Sequence, residues 1–334
     1  VIASNNEADQ DLVELIFASV NDLKDGNIET ESGGKIWKLR LKGDIYWQDN
    51  EPITSDDVVF TVKSIQDPDA NSPLFSDWQG VKTERVSARE VKFVLSTPYV
   101  FFENTLLNLK PLPKHIFADI PFSNLRLADY NLIGPIGSGP FKFLDLKKKR
   151  DGFITDYELT RNNNYPGKKP YLDAITFKFF PNEKDAIKAV NNGRVDGIGS
   201  VQYKNLKEIT VPHLVYTVSM PRYYAIFFNQ SANPALKNFS VRKTLDLATD
   251  RRKIIGDVFK GTAVPLIGPL APGINGYNEN DFSRQNEFSL DKARGLLEVN
   301  GWQAKIDGIR ENTNPGGGRL EFTLTLPEIP FLVD

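Results

Sequence analysis

The sequence predicts a mixed α/β protein with more than one folding unit, on three observations. Residues 35–41, K-I-W-K-L-R-L, alternate apolar and polar side chains at a period of two, which is typical of a half-buried strand. A helix start follows at Thr54, where a capping residue precedes an apolar pattern. The chain has 334 residues, and since domains of about 150 residues are common, we expect two or more folding units.

The composition is that of an ordinary globular protein. Apolar residues make up 40% and charged residues 25% of the chain, which argues against disordered, collagen-like and coiled-coil classes. The net charge of −2 favours neither nucleic acid nor an anionic membrane surface as a partner. The absence of cysteine excludes disulfides, thiol nucleophiles and cysteine-bound metal.

The first part of the chain alternates helix and strand signals. Thr54 and Asp57 have the spacing of a capping box, which predicts a helix that Asp67, followed by proline, brings to an end. Residues 81–86 and 90–95 then predict a β-hairpin with one apolar face. This block is expected to be α+β.

Residues 133–140 contain three glycines and two prolines and predict a junction between domains. Residues 183–191 carry apolar side chains at helical spacing before Gly193, which predicts a helix. With a strand after this helix the segment reads as a βαβ-like unit. The strands predicted around the helix are residues 141–146, 153–159, 174–180 and 195–198.

The run Y-Y-A-I-F-F-N at residues 223–229 is almost continuously apolar, which predicts a central strand covered on both faces. The pattern beyond it is mainly helical. The segments predicted there are helices at residues 240–249, 251–259 and 289–299, a loop at 312–318 and a strand at 320–326.

Candidate catalytic groups are few. His115 and His213 both lie within two residues of a proline and far apart in sequence, so we read both as ordinary loop residues. Asp49, Asp56 and Asp57 resemble a carboxylate cluster, but helix capping and surface solvation explain them better. The sequence therefore predicts no catalytic residue and no metal site.

Three other features have a structural and a functional reading. The segment Gly137-Ser138-Gly139 resembles part of a phosphate cradle, but it lacks the lysine and the following helix, so a turn or hinge is favoured. The basic run at residues 147–150 is read as a solvated hairpin end rather than a nucleic-acid site. Trp78 lies in a polar segment with a proline, and we expect it to be partly exposed.

Several short motifs occur in a fixed order along nearly the whole chain. Residues 39–60 contain L-R, W-Q-D, P-I-T and D-V-V-F. Further motifs are L-P-K-H at residues 112–115, G-S-G-P-F at 137–141, R-N at 161–162 and G-R-V-D at 193–196. In this order they resemble the family 5 extracellular solute-binding proteins, the dipeptide, oligopeptide and nickel receptors of ABC importers. Asn50 and Ser55 stand where that family has glycine and alanine, and asparagine tolerates the positive φ of such a turn.

The resemblance implies a bilobal α/β fold of the type II periplasmic-binding-protein class that closes on its ligand by a hinge motion. It implies that residues 1–22 and 136–228 form lobe one, that 23–135 form an inserted α+β subdomain and that 229–334 begin lobe two. Family members continue beyond the strand at 320–326. We therefore expect lobe two to be truncated in this chain, and peptide binding to be weak or absent.

The resemblance also implies the ligand and the partners. We expect a monomeric receptor that holds a peptide by main-chain hydrogen bonds and delivers it to a permease and ATPase, with no cofactor, no metal and no nucleic acid. An extracytoplasmic location, with a lipid anchor or a signal peptide ahead of Val1, follows from the same resemblance. The residues expected to line the cleft between the lobes are Ser4, Asn5, Phe75, Trp78, Gly137, Ser138, Gly139, Tyr223, Tyr224 and Asn229.

Other functions stay open at this stage. The ligand can instead be a nickel chelate or an oligosaccharide, and the protein can sense peptides without transporting them. Peptide is preferred to nickel because two isolated histidines, one methionine and no cysteine offer few suitable ligands. A hydrolase is disfavoured because no catalytic constellation is visible.

Overall fold

In the computed structural model the chain forms two compact units, residues 1–200 and residues 201–334, which we describe separately. Of the helices formed by the described residues, none has the length and hydropathy needed to cross a membrane. The predicted lobe and subdomain boundaries stay predictions. The residues that the structure describes are 1–4, 6–131, 133–218, 223–266, 268, 270, 277–278, 288–312 and 318–326.

The described residues of the first unit form helices and two antiparallel sheets. Its helices are α1 (Glu7–Ile16), α2 (Val20–Leu23), α3 (Ser55–Gln66), α4 (Phe75–Trp78), α5 (Phe102–Leu107), α6 (Lys114–Phe117) and α7 (Glu183–Asn191). Its strands are β1 (Glu29–Glu31), β2 (Ile36–Arg40), β3 (Lys82–Ser87), β4 (Glu90–Val94), β5 (Phe141–Lys148), β6 (Ile154–Arg161) and β7 (Ala174–Lys178). The strand orders are β1-β2-β4-β3 and β5-β6-β7.

The four-stranded sheet contains the predicted strand at 35–41 and the predicted hairpin. β2 and β3 both pair with β4 in antiparallel register, and Trp37 lies opposite Phe93. Alternate residues of β4 and the position after it, Val91, Phe93 and Leu95, are buried. Because helix α3 contacts β3 and β4, this apolar face becomes the core of the first unit.

Helix α3 begins and ends where the sequence predicts. The Thr54 backbone N–H donates to Asp57 Oδ2 at 2.8 Å, and Thr54 Oγ1 accepts the N–H of Asp56 at 3.2 Å, so the capping box is confirmed. The helix ends at Gln66, before the Asp-Pro pair. In the turn ahead of the helix, Asn50 has a φ of 73°, as its glycine-like position predicts.

The second sheet confirms the three strands predicted between residues 141 and 180. Helix α7 has its predicted bounds, and Gly193 follows it with a φ of 64°. Residues 195–198 form no strand, so the βαβ-like unit is wrong. The segment V-D-G-I has only two strand-forming residues, and its aspartate and glycine disfavour a strand.

Aromatic rings fill the core of the first unit beside β4. Trp78 is 1% exposed, and its ring centroid lies 5.5 Å from that of Phe102 and 6.1 Å from that of Phe93. The expected partial exposure of Trp78 is therefore wrong. Its polar neighbours form the short helix α4, whose tryptophan points inward, and local composition does not reveal that direction.

The second unit has a smaller buried cluster among its described residues. Its helices are α8 (Phe239–Ala248), α9 (Arg251–Asp257) and α10 (Leu290–Val299), and its strands are β8 (Gln303–Ala304), β9 (Arg310–Asn312) and β10 (Gly318–Arg319). The three helices confirm the predicted segments. The buried cluster consists of Ala235, Leu236, Val241, Leu297 and Trp302.

Two strands predicted in the second unit are wrong. Residues 223–229 and 320–326 have no regular secondary structure, and Phe227 and Leu324 are 83% and 61% exposed. A strand forms only when another segment supplies hydrogen-bond partners, whatever the composition of its own residues. The predicted loop at 312–318 lies mainly outside the described residues.

Candidate functional site

The Gly137–Gly139 segment packs against the C-terminal end of helix α1. The last carbonyls of a helix have no partner within it. The Ile16 carbonyl accepts the backbone N–H groups of Ser138 at 3.0 Å and Gly139 at 2.7 Å. The Ser138 Oγ accepts the N–H of Ala18 at 3.1 Å, and the Ser138 side chain is buried. This segment therefore satisfies the end of α1.

Close approach requires both glycines of this segment. A Cβ on Gly137 would lie 2.0 Å from the Ile16 carbonyl oxygen, and one on Gly139 would lie 2.6 Å from the Ile16 carbonyl carbon. Both atoms belong to the backbone, so they cannot move aside as the end of a flexible side chain can. The glycines of the G-S-G-P-F motif thus allow two backbone segments to touch.

Gln48, from the W-Q-D motif, holds the same segment from the other side. Its backbone N–H donates to the Gly137 carbonyl at 2.9 Å, and its Oε1 accepts the Gly137 N–H at 2.9 Å. Its Nε2 donates to the Phe141 carbonyl at 2.8 Å and lies 3.4 Å from the Ile16 carbonyl oxygen. Two of the motifs that carry the resemblance therefore bind each other directly.

The L-P-K-H motif is joined to helix α3. Asp57 Oδ1 accepts the backbone N–H of Lys114 at 2.9 Å, and Thr61 Oγ1 accepts that of Leu112 at 2.7 Å. Burial raises the pKa of Asp57 above its ordinary value, and the hydrogen bonds from the Thr54 and Lys114 backbones oppose the shift. Asp57 thus caps α3 and anchors a second segment with one carboxylate.

The histidines pair with groups that do not form a catalytic arrangement. His115 Nε2 lies 2.8 Å from Asp49 Oδ2, and His213 Nδ1 lies 2.8 Å from the Val211 carbonyl oxygen. His213 is a loop residue as expected, whereas His115 lies in helix α6, so its assignment to a loop is wrong. In the part of the chain that the structure describes, no three histidine, aspartate or glutamate residues group closely enough to hold a metal ion.

The N-terminal segment lies against residues 72–75, at the start of helix α4. Ser72 Oγ donates to the Ile2 carbonyl at 2.6 Å, and Ser4 and Phe75 are both half-buried. Asn5, also predicted to bind ligand, lies outside the described residues. A groove of about 460 Å³ beside this contact is lined by Asp67, Pro68, Asn71, Ser72, Pro73, Phe75 and Arg126.

The other predicted ligand-binding residues lie in the second unit. Tyr223 and Tyr224 are 42% and 46% exposed, and the Tyr224 ring centroid lies 5.5 Å from that of Phe259. Asn229 Oδ1 accepts the N–H groups of Ser231 at 3.1 Å and Ala232 at 3.0 Å. Asn229 therefore holds a local turn, while the two tyrosines offer accessible aromatic surface.

The structure thus places the described members of the predicted ligand-binding set in three regions: the N-terminal segment with residues 72–78, the Gly137–Gly139 segment, and residues 223–229. Trp78 and Ser138 are buried and pack within the first unit. Ligand contact by these residues stays a prediction. Sequence reasoning missed Gln48 as an individual residue. The one sequence signal for Gln48 was its position between the tryptophan and the aspartate of the W-Q-D motif. That position does not show which groups the Gln48 side chain contacts.

These observations describe an α/β protein in which the W-Q-D and G-S-G-P-F motifs bind each other within the first unit. Comparison with known proteins places it in a class. A sequence model of the bacterial extracellular solute-binding proteins, family 5, middle part, matches residues 19–328. The chain belongs to this family of solute-binding proteins. The α/β fold class expected from the resemblance is confirmed by solved structures of such proteins.

Individual relatives agree with this assignment. The oligopeptide-binding protein AppA of Bacillus subtilis is 29% identical over 303 residues, which cover 89% of this chain and 54% of AppA. The nickel-binding periplasmic protein of Escherichia coli is 25% identical over 276 residues, covering 80% and 51% of the two chains. The structure of the ABC transporter substrate-binding protein CtaP of Listeria monocytogenes matches with a TM-score of 0.73 and 29% identity, covering 90% of this chain and 62% of CtaP. The chain spans about half the length of the curated relatives it matches.

Proposed function

We propose that this chain is part of a receptor that captures peptides outside the cytoplasmic membrane and delivers them to the permease of an ABC importer. The observation that carries the proposal is the family membership, together with the similarity to an oligopeptide-binding protein over 89% of the chain. Attachment to the membrane through a lipid is part of the same proposal, as is a monomeric receptor.

The accessible residues suit an extended peptide. A peptide offers main-chain donors and acceptors at every residue, so a receptor that binds them tolerates many sequences. Tyr223 and Tyr224 of the second unit provide accessible aromatic surface for its side chains. We propose that the receptor has no enzymatic activity, since both histidines contact groups other than a nucleophile.

Isothermal titration of the purified chain with defined peptides of increasing length tests the proposal. Because lobe two is expected to be truncated, we expect weak but saturable binding. This binding should weaken further in Tyr223→Ala and stay unchanged in Tyr203→Ala, a matched control that removes a tyrosine of similar exposure outside the predicted site. A native mass spectrum of the protein purified from cells would show a peptide carried through purification. The absence of binding to every peptide would refute the proposal for this chain.

Nickel is the second candidate ligand, because the nickel-binding protein of Escherichia coli matches 80% of the chain. The same titration with nickel ions, and with nickel mixed with free histidine, separates the two candidates. Binding of either nickel form in the absence of peptide binding would favour the second candidate. Uptake of a labelled peptide by cells with and without the gene then distinguishes a transport receptor from a sensor.

A further inference from the structure

Gln48 joins segments of the first unit that are far apart in sequence. Its amide accepts from the N–H of Gly137 and donates to the carbonyl of Phe141, while its backbone N–H donates to the Gly137 carbonyl. The same Nε2 lies 3.4 Å from the carbonyl oxygen of Ile16. One half-buried side chain therefore contacts the Gly137–Gly139 segment, the start of β5 and the end of α1.

The contacted segments are the two connections of the predicted inserted subdomain. The chain enters residues 23–135 at the end of the short helix α2, which follows α1, and leaves them just before Gly137. Gln48 itself lies within the range predicted for the subdomain. Ser138 ties the two connections to each other through the N–H of Ala18. Neither connection can shift relative to the subdomain without breaking hydrogen bonds made by Gln48 or Ser138.

We propose that Gln48 is a positioning residue for ligand binding. It fixes the Gly137–Gly139 segment against the inserted subdomain, so that the subdomain and the β5-β6-β7 sheet respond to a ligand as one body. The inference rests on the proposed function in one respect, namely that peptide affinity depends on the placement of this segment. Its structural part, the fixing of the segment by Gln48, stands on the hydrogen bonds alone.

Two substitutions separate the hydrogen bonds of the amide. Gln48→Met keeps the length of the side chain and removes its donor and acceptor. Gln48→Glu keeps the acceptor for the Gly137 N–H but places a carboxylate against the Phe141 carbonyl oxygen, where the amide donated. The backbone hydrogen bond of Gln48 to the Gly137 carbonyl remains available in both variants, so at least one of them is expected to fold.

Thr61→Val is the matched control. Thr61 Oγ1 donates to the Asp57 carbonyl at 2.6 Å and accepts the N–H of Leu112 at 2.7 Å. Like Gln48, Thr61 joins two distant segments of the first unit through one polar side chain. Neither of these hydrogen bonds of Thr61 involves the Gly137–Gly139 segment. Loss of the Thr61 hydroxyl is therefore expected to lower stability without moving that segment.

The experiment measures three quantities for each variant: the urea midpoint of unfolding, the hydrogen exchange of a fragment covering residues 137–141, and the affinity for a peptide that the wild type binds. We expect all variants to unfold at lower urea. Only the Gln48 variants should exchange faster at 137–141 and bind the peptide about tenfold more weakly, a typical size for coupling through a positioning residue.

Wild-type affinity in Gln48→Met, or an equal loss in Thr61→Val, would overturn the role in ligand binding. If the wild type binds no peptide, the proposed function fails, and the exchange measurement decides the structural part by itself. Faster exchange at 137–141 in the Gln48 variants, but not in Thr61→Val, supports the fixing of this segment by Gln48. Unchanged exchange there, or the same change in Thr61→Val, overturns it.

Discussion

The two compact units differ in their strand-like segments. In the first unit the alternating segments 35–41 and 90–95 pair with each other and bury one face, whereas in the second the segments 223–229 and 320–326 form no strand. Helices form as predicted in both. A helix satisfies its backbone hydrogen bonds within one segment, but a strand needs a second segment. Strand predictions therefore hold only where the described chain supplies the partner.

Two phenylalanines in apolar runs show the same difference at the level of one side chain. Phe93 lies in β4, the strand between β2 and β3. Its side chain is fully buried and contacts Trp78 and Phe102, while Phe227 is 83% exposed. Both residues lie among strand-forming neighbours, so the sequence alone predicts burial for both. The difference comes from the surrounding structure, and substitutions at matched positions measure it.

The largest expected effect is that of Trp78→Ala in the aromatic core of the first unit. Removing a buried tryptophan leaves a cavity, and we expect the free energy of unfolding to fall by about 3–5 kcal/mol. Urea unfolding followed by far-ultraviolet circular dichroism measures the change. Phe227→Ala is the control in the second unit, where loss of an exposed side chain should change the stability by less than about 0.5 kcal/mol. Similar losses from both substitutions would contradict the difference between the units.

A smaller effect is expected from Gly137→Ala. The new Cβ would overlap the Ile16 carbonyl oxygen, and relief of such overpacking costs about 1–3 kcal/mol. Gly197→Ala is its control, because a Cβ there meets no atom within 4 Å. The urea midpoints of the two variants check this prediction, and it fails if Gly137→Ala is as stable as Gly197→Ala.

The smallest effect concerns Asp57 and its dependence on pH. In Asp57→Asn the amide cannot accept from both the Thr54 and Lys114 N–H groups in the same way, so we expect a loss of about 1 kcal/mol at neutral pH.

The raised pKa sets the direction of the pH dependence. The folded state holds the Asp57 proton at pH values where the unfolded state, with an ordinary pKa of 3.8, has released it. Protonation of Asp57 therefore adds stability that is fully present below pH 3.8 and is lost as the pH rises through the folded pKa. This pH-dependent part is separate from the hydrogen bonds that Asp57→Asn loses at neutral pH. Urea unfolding across this range should show the wild type gaining stability relative to Asp57→Asn on acidification. If the stability difference between the wild type and Asp57→Asn were the same at every pH, burial would not raise the pKa of the Asp57 carboxyl.

The sequence predicts the features that are encoded locally. The capping box at Thr54 and the bounds of α7 follow from nearby residues, and the positive φ of Asn50 follows from the family resemblance. All three are confirmed. The burial of Trp78 and the hydrogen bonds of Gln48 depend on segments that are far away in the sequence. A local sequence pattern therefore cannot predict them. The motifs identify the family because they occur in its order along the chain. They do not by themselves reveal which side chains contact a ligand.

The measurement that tests the comparison most directly is hydrogen–deuterium exchange of the intact chain, followed by mass spectrometry of its fragments. Paired strands protect their amides, and exposed segments without a partner exchange rapidly. We expect fragments covering β4 and β6 to exchange slowly and the fragment covering residues 223–229 to exchange at the earliest time point. Protection of 223–229 as strong as that of β4 would contradict the account, because it would mean that this run is paired in the chain as it stands.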